Sequence, residues 1–224
     1  LSILLLCCMV LTLLPTTVLA ADGPMDTIPK YDVSIDVYNR TSDITIKDSR
    51  SYYIYSSVPD KLRDTWAWDK KIFIKGDKTA PHVFIDGVNI EMSPSSKGPA
   101  IELNKKASAY IYFIGKNSSL QGADGRAAIQ KNRSEGQLYV LARTGTTVTC
   151  KGGDKAAGIG GSYATRNISN GYYNGDMYGH GVNMHFGSRS NPDYWGGTIA
   201  AIGGNGGAGI GGGYESGAGN IEIT

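Results

Sequence analysis

Residues 147–163 and 198–214 of the chain are two copies of one segment. The first copy reads TVTCKGGDKAAGIGGSY, and the second, 51 residues further on, reads TIAAIGGNGGAGIGGGY. Nine of the 17 aligned positions are identical, and five of those nine are glycine. Self-similarity of this kind indicates an architecture in which equivalent segments stack on one another. The repeat therefore constrains the fold of the chain before it says anything about function.

Glycine divides the chain into two parts of different composition. Of the 31 glycines, nine precede Lys151 and 22 follow it. Before that point, short runs rich in Ile, Val, Tyr and Phe alternate with polar turns, at residues 43–46, 51–55, 71–74, 82–91, 100–103 and 109–114. Period-two alternation and β-branched side chains are typical of strands, and no long amphipathic helical stretch is found. The sequence predicts an all-β protein.

Ala-Ile pairs extend the repeat upstream of residue 147. The predicted ladder consists of Ile101, Ile129, Ile159 and Ile210, with spacings of 28, 30 and 51 residues. The first two spacings suit one coil of a parallel β-helix, in which each strand pairs with its equivalent one coil away and needs only one or two inward apolar residues. The third spacing is one coil plus an insertion at residues 164–197. We therefore predict a right-handed parallel β-helix, a solenoid with a long inserted loop.

The first 20 residues are predicted to be a secretory signal peptide. They are uncharged and mostly apolar, and they end in Val18-Leu19-Ala20, a pattern typical of a cleavage site. We therefore expect a secreted or cell-surface protein. The initial Met and basic residues of such a segment are missing and the chain ends in the strand-like NIEIT, so the sequence is interpreted as a fragment at both ends. Residues 21–81 are predicted to form N-terminal strands and a cap, and residues 82–224 the repeats.

Charge and cysteine content bear on the possible partners and on how the fold is stabilised. The chain has 22 basic and 20 acidic residues, which argues for neither nucleic acid nor a charged membrane surface as partner. Cys7 and Cys8 lie in the predicted signal peptide, so Cys150 would stand alone in the mature chain and no intrachain disulfide would form. The mature protein must then be stabilised by its core.

The segments AAGIGGSY and GGTIAAIGGNGGAGIGGGYESGAGNIEI carry a resemblance to a known class. They resemble the glycine-rich repeats of exported bacterial surface proteins, including right-handed β-helix carbohydrate-binding domains related in shape to pectate lyases. The resemblance covers roughly residues 82–224 and is strongest from residue 147 onward. It implies a surface or secreted β-helix, with calcium-assisted binding of plant or host polysaccharide in some members. The resemblance assigns no binding residue to this chain, because the positions shared with the family are structural Gly, Ala and Ile.

The predicted insertion contains the residues that suit a ligand site. Sugars present an apolar ring face and a rim of hydroxyls, so a site for them needs aromatic plates and short polar groups. We predict a glycan site formed by Tyr172, Tyr173, Asn174, Asp176, Tyr178, Tyr194 and Trp195. The alternative is that these aromatic side chains pack onto the solenoid as a satellite core.

Metal ions and cofactors have weaker support in the sequence. His180 and His185 lie five residues apart, which fits no compact zinc signature. Calcium is the metal ion that Asp124, Asp154, Asp176 and Asp193 in Gly- or Asn-containing turns would suit, although turn-favouring Asp without metal is the simpler interpretation. No soluble cofactor is implied. The chain is expected to act as a monomer or as part of a longer chain.

Three functions follow from these observations. Binding of a polysaccharide or cell-surface glycan is the leading hypothesis, and a structural spacer or adhesin is the alternative. A polysaccharide lyase is the third, since Arg126, Lys131, Arg133 and Arg143 could supply a base, but carboxylates are widely scattered and no nucleophile elbow or phosphate loop is found. No catalytic residue is predicted.

Overall fold

A computed structural model describes residues 29–224 with gaps. The residues outside the description are 1–28, 77, 97, 105, 132–134, 164–166, 170–171, 175–178 and 189–192, and only the backbone is described for residues 95, 167–169 and 172–174. The described residues form an all-β protein with 17 strands in three parallel sheets, one two-stranded hairpin and two short 3₁₀ helices, Asp60–Leu62 and Pro94–Ser96. No helix in this described part is long and apolar enough to cross a membrane.

The strands are, in chain order, β1 (Val33–Asp36), β2 (Ile44–Ile46), β3 (Ser51–Tyr55), β4 (Ile72–Ile74), β5 (His82–Asp86), β6 (Asn89–Glu91), β7 (Ile101–Leu103), β8 (Ala109–Phe113), β9 (Ser118–Gln121), β10 (Ile129–Lys131), β11 (Leu138–Ala142), β12 (Thr147–Lys151), β13 (Ile159–Gly160), β14 (Asn167–Ser169), β15 (Tyr172–Asn174), β16 (Gly181–Phe186), β17 (Thr198–Ile202), β18 (Ile210–Gly211) and β19 (Ala218–Ile223).

The chain winds repeatedly through the three parallel sheets. Sheet A has the order β1-β3-β5-β8-β11-β16-β19, sheet B the order β2-β4-β7-β10-β13-β18, and sheet C the order β6-β9-β12-β17. From β5 onward the chain visits sheets A, C and B in turn, and each circuit, here called a coil, adds one strand to each sheet. This topology is compatible with a parallel β-helix or solenoid.

The predicted isoleucine ladder lies in register in sheet B. Ile101 pairs with Ile129, Ile129 with Ile159, and Ile159 with Ile210. The ladder also extends upstream, to Ile72 and then Ile44. From Ile44 to Ile159 these side chains are buried in one core together with apolar residues of sheets A and C. The predicted ladder is confirmed, and strands β1–β4 show that the same sheets begin within residues 21–81.

The two copies of the repeat lie directly on each other. Thr147 pairs with Thr198 in sheet C, and the pairing continues to Lys151 and Ile202. One part of the prediction needs correction: residues 164–197 are not a single inserted loop. They contain β16, which pairs with both β11 and β19 in sheet A. A strand of sheet A is required there because each coil passes through that sheet on its way from sheet B to sheet C.

Glycine lets the sheets approach closely in the second half of the chain. Gly160 and Gly211 have φ angles of +130° and +134°, which L side chains rarely adopt. A Cβ atom on Gly160 would lie 2.1 Å from the Gly211 carbonyl oxygen, and one on Gly181 would lie 2.2 Å from the same oxygen. Backbone atoms therefore fill space there that side chains fill in earlier coils.

Candidate functional site

The structure describes part of the predicted glycan site. Tyr172, Tyr173 and Asn174 form β15, which pairs in antiparallel fashion with β14, and only their backbone is described. Asp176 and Tyr178 lie outside the described residues. Tyr194 and Trp195 lie in the connection between β16 and β17, and their side chains are described.

Tyr194 and Trp195 lie in a turn that Thr144 anchors. The Thr144 backbone N–H donates to the Tyr194 carbonyl over 2.9 Å, and the Gly196 N–H donates to Thr144 Oγ1 over 3.0 Å. The same hydroxyl donates to the carbonyl of Asp193. A Cβ atom on Gly197 would lie 2.3 Å from the Arg143 carbonyl oxygen, so only glycine permits this approach. The turn is therefore held against residues 143–146 by both hydrogen bonds and close packing.

The two aromatic rings meet at right angles on the outer face of sheet A. Their centroids are 4.6 Å apart with an interplanar angle of 86°. The Trp195 ring is tilted by 37° against Tyr112, at 5.1 Å, and the Arg143 guanidinium lies 6.0 Å from the centre of the Tyr194 ring. Trp195 packs against a small cluster of Tyr53, Phe84 and Ile114. Both predicted residues remain half-buried, so part of each side chain packs and part meets solvent.

A column of stacked rings runs beside this cluster. His82, Tyr110, Tyr139 and His185 occupy one register position in β5, β8, β11 and β16. Successive centroids are 4.7, 4.5 and 4.6 Å apart, and no interplanar angle exceeds 14°. The ring faces therefore cover one another, and the column offers no open plates for stacking on a sugar ring.

Burial shifts the titration of groups on this face. Burial lowers the pKa of His82, whose Nδ1 lies 3.0 Å from the Tyr112 hydroxyl. Burial, together with Tyr110, raises the pKa of Tyr112. Both shifts favour the uncharged forms at neutral pH. His185 has polar partners on both sides, with Nε2 at 2.8 Å from Gln137 Oε1 and Nδ1 at 3.1 Å from Glu222 Oε2.

Among the described residues, no group of three or more His, Cys, Asp or Glu side chains could hold a metal ion. His180 Nδ1 accepts a hydrogen bond from the Gly217 N–H over 3.2 Å, and His185 belongs to the ring column. Of the aspartates predicted for calcium, Asp176 lies outside the described residues and Asp193 is exposed in the anchored turn. Calcium binding therefore stays a prediction.

Two side chains that could act as a base or a nucleophile, Lys131 and Cys150, are buried. Lys131, considered above as a lyase base, is fully buried, and burial lowers its pKa to about 8. Cys150 is also buried, and burial raises the pKa of its thiol, which keeps it protonated and unreactive. Neither group can meet a polysaccharide without local opening of the core.

Most of the supporting surface was not predicted from the sequence. Thr144 and Tyr112 are far from the insertion in sequence, and the ring column consists of residues spaced 28, 29 and 46 positions apart. The available signal was the outward alternation of aromatic residues in HVFID, AYIYF and LYVLA once the coil length is applied. Comparison of the chain with protein-family models, with curated proteins and with solved structures finds no match.

Proposed function

We propose that the protein is an exported, right-handed parallel β-helix that binds polysaccharide or cell-surface glycan through the turn carrying Tyr194 and Trp195. Tyr172, Tyr173, Asn174, Asp176 and Tyr178 belong to the proposed site as further plates and polar groups. The proposed hand has support from the strong preference for right-handed crossovers between parallel strands.

The observation that carries the binding proposal is the anchored turn. Thr144 holds the backbone on both sides of Trp195, so the two rings are positioned before any ligand arrives. Preorganisation reduces the conformational entropy lost on binding. The half-buried rings lie beside the exposed Asp193, which supplies carboxylate oxygens as acceptors for hydroxyl groups.

A structural spacer or adhesin is the second candidate, and one observation favours it. The rings of His82, Tyr110, Tyr139 and His185 use their faces on one another, which stabilises neighbouring coils and leaves no open plate. On this alternative, Trp195 is a further part of that packing, against Tyr112.

The test is affinity electrophoresis of the chain without residues 1–20 in gels that contain plant and host polysaccharides. The gels are run with calcium and with a chelator, and absorbance is followed for unsaturated uronate products. Retardation without product supports a binding protein, and loss of retardation in chelator assigns a role to calcium. Product formation favours the lyase. Recovery of a secreted form that begins at Ala21 would test export.

Variants separate the site from general surface effects. Trp195→Ala should weaken glycan binding about tenfold, because a large aromatic contact is lost. Thr144→Val keeps the side-chain shape but removes the anchoring hydroxyl, and should weaken binding about fivefold. Tyr214→Ala removes an exposed aromatic residue elsewhere and should leave binding unchanged. Full binding by folded Trp195→Ala protein would contradict the site.

A further inference from the structure

The corner between sheets B and A carries a concentration of positive charge. The connections β2–β3, β4–β5, β7–β8 and β10–β11 all pass through this corner. Their described residues include five basic side chains and two acidic ones, Asp48 and Glu135. We call the five basic residues the basic ridge: Lys47, Arg50, Lys75, Lys78 and Lys106. Among the described residues of these connections, positive charges therefore exceed negative ones by three.

Hydrogen bonds between successive connections align the ridge along the stack of coils. The Lys75 N–H donates to the Ile46 carbonyl over 3.0 Å. The Ala80 N–H donates to Ser49 Oγ over 3.0 Å, and the Ser108 N–H to the Thr79 carbonyl over 3.0 Å. Because neighbouring strands of a sheet lie about 4.8 Å apart, the backbone positions that carry cations on successive coils are separated by less than a Debye length at physiological salt. Cations at these positions act together on a ligand that extends along the stack.

Most of the ridge is available to solvent. Lys47, Arg50, Lys78 and Lys106 are exposed, and Lys75 is half-buried with its ammonium 5.3 Å from the Phe73 ring centre. Arg50 pairs with Asp48 at 3.0 Å, and the Arg50 guanidinium beside Asp48 lowers the pKa of that carboxyl to about 2. Asp48 therefore stays charged and offsets Arg50, so the three exposed lysines Lys47, Lys78 and Lys106 form the part of the ridge that attracts anions.

The ridge borders the ring column of sheet A. Strand β5 starts at His82, directly after the connection that carries Lys75 and Lys78, and Tyr110 is the second residue of β8. Ring groups that can hydrogen-bond to hydroxyl groups thus follow closely along the chain after ammonium groups suited to carboxylates. The rings stack on one another at 4.7 and 4.5 Å, so they present no open face on which a nucleobase could stack. This combination favours an acidic sugar over a nucleic acid.

We infer that the basic ridge binds a linear acidic polysaccharide, whose carboxylates lie along Lys47, Lys78 and Lys106 and whose hydroxyls meet the adjacent ring column. This inference rests on the proposed glycan-binding function, but it uses a surface other than the Trp195 turn. Electrostatic complementarity of this kind raises the association rate and weakens as salt increases.

The test compares polygalacturonate with its methyl ester, which has the same backbone without the charges. The ridge variant replaces Lys47, Lys78 and Lys106 by Gln, and the matched control replaces Lys61, Lys116 and Lys151, three exposed lysines elsewhere, by Gln. We expect wild type and control to bind polygalacturonate equally, the ridge variant to bind about tenfold more weakly, and the difference to shrink at high salt. Circular dichroism establishes that each variant is folded.

Four outcomes would overturn the inference: no binding of polygalacturonate by wild type, equal losses in both triple variants, equal binding of the methyl ester, or tighter binding of single-stranded DNA or phosphatidylserine vesicles than of polygalacturonate. Trp195→Ala separates this result from the proposed function. If neutral glycans bind in a Trp195-dependent way and polygalacturonate does not bind, the inference about the ridge is wrong and the Trp195 turn is supported as the site. If binding depends on the ridge and is unaffected by Trp195→Ala, the ridge is supported and the Trp195 turn is not the site.

Discussion

The two halves of the molecule stack their coils in the same way but fill them differently. In residues 33–151, inward side chains such as Ile74, Leu103 and Phe113 are fully buried in one core. In residues 152–224, sheet A still buries Met184 and Phe186, but the ladder of sheet B continues with Ile159 and Ile210, and glycine backbones there pack directly against one another. The comparison shows that strand pairing sets the repeat, while the filling of the interior can change along one stack.

The two ways of filling have different sensitivities. A core of large side chains loses stability in proportion to the apolar area and volume that a mutation removes. A contact between backbones at glycine tolerates no added atom, because a carbonyl of a paired strand or turn cannot move without breaking hydrogen bonds. The first half should therefore respond most to deletion of atoms and the second half to addition of them.

The largest expected effect is that of Gly153→Ala. A Cβ atom there would lie 1.9 Å from the Ala123 carbonyl oxygen of the preceding coil, so the two coils would have to separate. We expect a loss of about 4 kcal/mol or more in the free energy of unfolding, measured by urea denaturation. Gly145→Ala is the control: its φ is +83° but no atom lies within 4 Å of the added Cβ, so about 1 kcal/mol is expected. Similar losses in the two variants would contradict the backbone-contact interpretation.

The next prediction compares Ile101 and Ile210, which occupy equivalent ladder positions in the two halves. Ile101→Ala should cost about 4 kcal/mol, because Ile101 is fully buried and a cavity would remain. Ile210→Ala, in the same ladder but only partly buried, should cost less than half of that. Urea denaturation of both variants measures the difference. Equal losses would mean that side-chain burial matters as much in the second half as in the first.

The sequence was sufficient for the features that repeat with identical residues. The ladder was predictable because Ile101, Ile129 and Ile159 recur at spacings of 28 and 30 residues next to Ala or Gly, and Ile210 aligns with Ile159 in the two repeat copies. Strand β16 was missed because its sequence, GVNMHF, lies between the two repeat copies and matches neither. Alignment of the copies treats everything between them as insertion, although the path of each coil demands a strand of sheet A there.

The site was predictable only in part. Tyr194 and Trp195 stood out by residue type, but the Thr144 hydroxyl that fixes them is one of many in the chain and lies 50 residues before Tyr194. The ring column and the basic ridge both depend on the coil length. Residues such as His82 and Tyr110 become neighbours only when a 28-residue register is applied. Net charge concealed the ridge because acidic residues elsewhere balance it.

Lys131, the last residue of β10 in the first half, should destabilise the fold near neutral pH. It occupies the register position of Leu103, and burial lowers its pKa from 10.5 to about 8. Below pH 8 the lysine is charged in both states, so the folded state carries the full cost, about 3 kcal/mol. Between pH 8 and 10.5 the unfolded state binds more protons, so stability should rise with pH.

Lys131→Met tests whether the free energy of unfolding rises with pH because of Lys131. It should be more stable than wild type by up to about 3 kcal/mol at pH 7, and the advantage should disappear toward pH 10.5. Urea denaturation at several pH values measures the difference, and Lys151→Met, at an exposed position, is the control. A constant difference between Lys131→Met and wild type over this range would contradict a depressed pKa.

The smallest effect concerns Lys155, in a turn of the second half, where backbone strain destabilises the fold and side-chain contacts stabilise it. Lys155 has a φ of +60°, whereas Gly125 and Gly206 have positive φ in the turns one coil away on either side. Its ammonium lies 5.0 Å from the Tyr163 ring centre and 5.9 Å from that of Tyr214. Lys155→Gly relieves about 1 kcal/mol of backbone strain and loses cation–π contacts of similar size, so stability should change by less than about 0.5 kcal/mol. Lys155→Ala loses the contacts and keeps the strain, so it should unfold at lower urea than Lys155→Gly. The reverse order would mean that side-chain contacts, rather than the backbone, decide which residue this turn accepts.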